Sequence, residues 1–229
     1  MRKPTVDYSG FRLSRLNEPR FRHLWLLISW PFYFLTYFGA EHLYPLEQCT
    51  PMHCFLDDVI PFNEFFVIPY TGWYVLLAFT VFYFMFYDKE HFKRFHIMLI
   101  VNEVIAITIY VIFPTRVDFQ PAEFERSNIF TWIMGQLYAV DRNTNANPSL
   151  HVAVSILIGS AFSKHERTKL WQKIALWIFI ALVCLSTAFT KQHSVLDFFG
   201  ALPVCLIAEI AAYGKSYWLP KFKRIPAKV

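Results

Sequence analysis

ALWIFIALVCLSTAFTKQHSVLDFFGALPVCLIAEIAAY, residues 175–213, decides the class of this fold. Two apolar runs of near-membrane length flank TKQHSVLD at 190–197, which puts Lys191, His193 and Asp197 where a chain bound for lipid carries little that ionises. A helix needs about 20 apolar residues to cross a bilayer. Working outward, apolar runs of this kind fall at 24–40, 69–87, 96–114, roughly 147–163, 170–190 and 194–213. The fourth is the weakest and needs residues 147–149 to reach full length. The run 129–140 is too short to span and reads as a re-entrant or interfacial piece. At 55% hydrophobic and 19% aromatic residues, the chain is more apolar than a soluble domain of its length. The expectation is an all-α integral membrane protein, a six-transmembrane-helix bundle at 24–213 between tails at 1–23 and 214–229. The first run lacks a small-residue cleavage pattern and reads as a retained span.

The net charge of +5 is unevenly placed. Residues 1–23 carry Arg2, Lys3, Arg12, Arg15, Arg20 and Arg22, whereas 41–68 holds no Lys or Arg and carries Glu41, Glu47, Asp57, Asp58 and Glu64. Basic residues return at 88–95, at 164–169 and in the C-terminal tail, with Lys215, Lys221, Lys223, Arg224 and Lys228. Basic clusters on alternate connections follow the positive-inside pattern, so both termini are expected in the cytoplasm. Loops 41–68, 115–146 and 190–193 then face the periplasm, lumen or exterior. The basic tails are read as topology determinants and anionic-lipid contacts, not a nucleic-acid surface, and the bilayer is the expected partner. Cys184 and Cys205 fall inside spans, while Cys49 and Cys54 share an outer loop where a disulfide is possible in an oxidising compartment. Glu103, beside Asn102, reads as half of a structural hydrogen-bonded pair, and Glu209 as a group near the inner interface.

NANPSLHVAVS, residues 145–155, ends a loop on the same expected side as 190–193. Asn147-Pro148-Ser149 is a helix-start pattern, with a side-chain acceptor at the cap and Pro in the first turn. Free N–H groups and the helix dipole make such an end an anion cradle, and His151 lies in its first turn. His193 and Asp197, four residues apart, share one helix face. A carboxylate on one imidazole nitrogen fixes the tautomer and leaves the other as nucleophile or base. With Lys191, Arg116, Arg126 and Arg142 nearby in the outer loops, the set suits attack on phosphorus, which needs positioning and charge neutralisation. Arg126 and Arg142 are expected to pair with Glu123, Glu125 or Asp141, and Asp141 and Asn145 are further candidates for the headgroup pocket.

PSLH at 148–151 and STAFTKQHSVLD at 186–197 resemble the second and third signatures of the type 2 phosphatidic acid phosphatase (PAP2) superfamily, over spans three to six. The resemblance implies a six-span fold and an outward active site. It implies His193 as the nucleophile that forms a phosphohistidine, Asp197 as its support, His151 as general acid and Ser149 as a phosphate contact, with no metal and no cofactor. The signature arginine falls on Thr187, so Lys191, one turn on, stands in for it. The first signature is not present, and Arg116, after Phe113-Pro114-Thr115, is carried as a phosphate-binding candidate. The set also looks like the branch of inositol phosphorylceramide synthase relatives, in which an alcohol replaces water as acceptor. The leading expectation is therefore a lipid phosphatase acting on a lipid phosphate or diphosphate. A lipid headgroup phosphotransferase is the near alternative and a membrane transporter the distant one.

Overall fold

The computed structural model describes residue 4 and residues 6–223; Arg2, Lys3, Arg224 and Lys228 of the basic tails lie outside the described residues. A 3-10 stretch at Arg22–Ile28 leads into α1 (Ser29–Glu41). The first outer loop carries the two-residue strand β1 (Thr50–Pro51) and the one-turn helix α2 (Phe55–Val59). Helices α3 (Val67–Tyr87) and α4 (Lys89–Ile112) are joined by Asp88 alone. Strand β2 (Thr115–Arg116) and helix α5 (Ile129–Val140) occupy the second outer loop. Helices α6 (Leu150–Lys164), α7 (Leu170–Phe189) and α8 (Val195–Tyr213) complete the bundle.

Among the described residues, four helices are long and apolar enough to cross a membrane: Glu64–Tyr87, Lys89–Ile112, Leu170–Phe189 and Val195–Lys223. Their outer faces expose Val75, Phe79, Phe82, Ile178, Leu206 and Ile210, an apolar belt that water would not tolerate and lipid covers. The two other expected spans are shorter helices. In α1 the first turns are 3-10, which leaves 13 α-helical residues. At 15 residues α6 is about 22 Å long, below the ~30 Å of a hydrocarbon core.

The shortfall in α6 has a local cause. Residues 147–149 do not extend the helix: Ser149, not Asn147, is the cap, and its Oγ accepts the Val152 N–H at 3.4 Å. The third span departs the other way, because Asp88 accepts the N–H groups of Glu90 and His91 and so starts α4 at Lys89, seven residues before its apolar run.

Helix α6 is the axis of the bundle. Val152, Ala153, Leu157, Ile158 and Ala161 are all buried, and α3, α4, α7 and α8 surround it. Gly159 makes room for side chains of α7, since a Cβ there would meet Ile180 and Trp177 at 2.8 Å. Two intramembrane acids differ from expectation. Glu209 has a partner that the sequence reading did not give it: it pairs with Lys164 Nζ at the end of α6, 2.6 Å away, and also accepts hydrogen bonds from Ser160 and Trp218. Glu103 has no hydrogen-bond or ion-pair partner among the described residues, and the Oδ1 of its neighbour Asn102 is buried and unpaired.

The outer loops are stitched together at one end. β1 runs parallel to β2, with Thr50 opposite Thr115 and Pro51 opposite Arg116. Arg116 also bridges Thr144 antiparallel, which draws residues 144–149 onto the same platform. Cys49 and Cys54 are free thiols.

Candidate active site

The turn after α7 sets the site. Lys191 N–H donates to the Ala188 carbonyl and Gln192 N–H to the Thr187 carbonyl, both at 3.1 Å, which is the Schellman pattern. Lys191 takes the left-handed position of that motif at φ 56°, where glycine is the usual occupant. The sharp turn lets α8 start three residues later. Ser194 caps it, accepting the Leu196 N–H at 3.2 Å, while Asp197 reaches back to the Ser194 N–H at 2.9 Å. This reciprocal box holds the Asp197 carboxylate at the mouth of α8, fully buried.

His193 stands between the two signature segments. Its Nδ1 lies 3.0 Å from the Ala146 carbonyl oxygen and 3.2 Å from Asp197 Oδ2. Both partners only accept, so the proton sits on Nδ1 and Nε2 keeps a free lone pair. The segment 145–149 is held for this contact by several bonds. Asn147 N–H donates to Thr115 Oγ1 at 2.9 Å, Tyr110 Oη–H to the Pro148 carbonyl at 2.6 Å, and Ser149 N–H to the Asp197 carbonyl at 3.2 Å. Gly200 is required here as well, because a Cβ would collide with the Asn147 side chain.

His151 is the second residue of α6. Its ring stacks on Tyr70 at 4.1 Å and lies 4.3 Å from Trp73, and its Nε2 is buried with no hydrogen-bond partner. The centroids of the His151 and His193 rings are 6.1 Å apart, a gap that one phosphate bridges with a hydrogen bond or bond to each side. Both rings line a cavity of about 160 Å³ walled by Tyr37, Trp73, Asp141 and Arg142. Asp141 Oδ1 accepts the Tyr37 hydroxyl at 3.3 Å. Burial pushes the Asp141 carboxyl above the ordinary carboxylate value, against the opposing pull of nearby His193 and the Tyr37 hydrogen bond.

The expected phosphate contacts are placed differently. Lys191 Nζ donates to the backbone carbonyls of Asp57, at 2.6 Å, and Ile60. Burial holds its ammonium below the ordinary lysine value, opposed by the charges of Asp57 and Asp58. Arg116 pairs with Asp118 at 2.8 Å and donates to the Leu46 and Cys49 carbonyls. Ser149 is fully buried and occupied as the α6 cap. None of the three lines the cavity. Thr187, at the position of the signature arginine, is also buried and donates to the Cys184 carbonyl. Lys191 and Arg116 fail to reach the cavity because each donates to backbone carbonyls of the first outer loop, whereas Arg142 does stand on its wall. Arg126 pairs with Glu64 at 3.3 Å, and Arg142 meets Glu41 instead of Glu123, Glu125 or Asp141.

Asp57 is the residue that sequence reasoning missed. Its carboxylate accepts the Ser194 hydroxyl at 2.5 Å, the Val195 N–H at 2.9 Å and the Cys54 N–H at 2.8 Å. It therefore caps α2 and α8 together and clamps the first outer loop onto the turn that carries His193. Burial alone would raise its carboxyl; the three hydrogen bonds outweigh that and hold it below the ordinary value. The only advance signal is the acidic Asp57-Asp58 pair in an outer loop without cations.

Fold and geometry define a two-histidine, one-carboxylate centre at the end of an apolar helical bundle. A family model described as the PAP2 superfamily matches residues 48–211, and the chain belongs to that superfamily of phosphatases and phosphotransferases. Searches of curated proteins and of solved structures gave no match.

Proposed function

We propose that this protein is a membrane-embedded phosphatase of lipid phosphate esters that works through a phosphohistidine. The observation that carries the reading is the tautomer at His193: two acceptors hold Nδ1–H, so Nε2 is the free nucleophile beside a cavity that also holds His151. His193 Nε2 attacks phosphorus, the ester P–O bond breaks, and His151 gives the departing alkoxide its proton. Water then attacks the phosphohistidine, the P–N bond breaks to release the imidazole, and the water's proton returns to His151. Asp197 holds the ring and offsets its developing positive charge. The alternation of basic and acidic loops supports a cavity facing the non-cytoplasmic side, with substrate arriving from that leaflet.

The test uses purified enzyme in detergent with a phosphorus-32 lipid. The reading expects label on histidine in an acid-labile, base-stable linkage, and neither label nor turnover in His193→Ala. Full turnover by that variant would end it. The same assay separates the phosphotransferase form of the chemistry, in which label appears on an added alcohol instead of as free phosphate.

A further inference from the structure

Asp141 puts a carboxyl on the wall of the cavity between the two histidines, and no cation pairs with it. Its neighbour Arg142 is turned elsewhere, with its N–H on Glu41 Oε1 at 2.9 Å and its guanidinium 3.4 Å from the Glu41 carbonyl. Among the described residues Asp141 makes no ion pair, and its Oδ1 accepts the Tyr37 hydroxyl at 3.3 Å. That leaves Oδ2 to carry a proton. The same wall carries Tyr33, Phe34, Trp73, Tyr74 and Tyr110. A carboxylate against aromatic rings, without a cation beside it, is poorly solvated; an uncharged acid escapes most of that penalty. Burial accordingly raises the Asp141 carboxyl above its ordinary value.

The other charges that a bound phosphate meets favour the same form. Among the described residues, Arg142 is the one Lys or Arg on the wall, and it is exposed. His151 carries the proton it later gives to the alkoxide, and His193 is neutral. Thr144 Oγ1, Asn145 Nδ2 and Gln192 Nε2 are buried, uncharged and without partners, the Gln192 oxygen being taken by the Gln120 amide at 3.1 Å. An ionised Asp141 would cancel one of the two positive charges and repel the phosphate oxygens. Uncharged, it leaves both in force and adds a donor.

We infer that Asp141 works as an uncharged carboxylic acid that donates a hydrogen bond to a phosphate oxygen, a contact that strengthens as that oxygen gains charge in the transition state. The inference rests on the His193 reading and adds one group to it. No proton leaves Asp141; the alkoxide still takes the one on His151. The role ends once the acid ionises, so it shows in the pH dependence. Asp141 is uncharged below its native value, which lies above 3.8, and ionises as pH rises through it. The titratable groups around it are Tyr33, Tyr37 and Glu41 of α1, Tyr70 and Tyr74 of α3, Tyr110 of α4, His151, His193 and Arg142. Tyrosine and arginine ordinarily ionise at about pH 10 and above, outside an assay run from about pH 5 to 9. Glu41 and the two histidines are common to wild type and to any Asp141 variant, so the ratio of the two activities reports on Asp141.

The experiment measures His193-dependent turnover of a lipid phosphate monoester by purified wild type, Asp141→Asn and Asp141→Ala across that pH range. Asparagine keeps an oxygen for Tyr37 and a donor for phosphate, and never ionises. At the acid end Asp141→Asn should stay within about threefold of wild type in kcat/KM, and its ratio to wild type should rise by about 10-fold or more towards pH 9. Asp141→Ala should lose about 10²-fold or more at the acid end, the usual cost of removing one donor aimed at developing charge. If Asp141→Ala does not fold, the asparagine ratio decides alone: a rise with pH supports the inference, and a flat or falling ratio overturns it. Asparagine as damaging as alanine would mean that the ionised carboxylate is the working form, and would overturn the inference. Both variants within about threefold of wild type at every pH would overturn it too. In each of these cases label on histidine in the wild type leaves the phosphohistidine reading intact. No His193-dependent turnover by wild type would overturn both.

Discussion

Both ends of the bundle hold two histidines and an aspartate, and only one end has the features of a site. At the end opposite the cavity, His91 Nδ1 lies 3.1 Å and His165 Nε2 3.6 Å from Asp88 Oδ2, with the two rings 5.0 Å apart. At the cavity end, His193 is 3.2 Å from Asp197 and 6.1 Å from His151. The difference lies in what surrounds them. Asp88 is occupied in starting α4, and His165 is buried among Tyr83, Phe84 and Phe162. His193 and His151 instead border an open volume with unpaired donors around it. A histidine–carboxylate pair at a helix end is thus a structural motif by default. A free imidazole nitrogen is not what separates the ends, since His91 Nε2 is also without a hydrogen-bond partner; the open space between the two rings is what allows chemistry.

Substitutions at the two ends should separate these roles. The largest effect is expected at His193, where Ala should lower turnover by about 10⁴-fold or more with the fold intact. His151→Ala should cost about 10²–10⁴-fold for alkyl esters and much less for a nitrophenyl ester, whose leaving group needs no proton. Equal losses for the two substrates would remove His151 from the acid role.

Asp57→Ala should come next, leaving the Ser194 hydroxyl and the Val195 N–H without their acceptor. A loss of about 1–3 kcal/mol of stability is expected, with reduced turnover, read by thermal unfolding and assay together. The Asp57 clamp also sets a pH dependence. Its native carboxyl lies below the ordinary value of 3.8, so its contribution is complete above that value and lost as pH falls through the native one. The stability lead of wild type over Asp57→Asn should therefore be constant from neutral pH to about pH 4 and shrink below it. The smallest effect is expected at the far end, where His91→Asn should keep turnover within about threefold, since it touches no reacting group. A large kinetic loss there would mean the ends are coupled.

What the sequence made legible was local. His193 and Asp197 are four residues apart, and a helix puts them on one face whatever the rest of the chain does. Apolar run lengths and alternating loop charge bring the 148–151 and 190–197 segments to one end, which suffices to pair the histidines. What was hidden depended on contacts between loops distant in sequence. Lys191 and Arg116 carry the right charge for phosphate, but the first outer loop presents carbonyls that claim both. Asp57 is 137 residues from Ser194, and no spacing rule announces their hydrogen bond. The free amide of Gln192 is visible only once Gln120 has taken its oxygen. Even the start of α6 turned on such a contact, because residues 147–149 are bound by Thr115, Tyr110 and Asp197 instead of continuing the helix.

The stereochemical course at phosphorus tests the central claim most directly, using a substrate made chiral there by oxygen isotopes or a single sulfur. Attack by His193 followed by attack of the acceptor is two in-line displacements, each inverting the centre, so the product should show net retention. Net inversion would mean that the acceptor strikes phosphorus directly, and would contradict a nucleophilic His193.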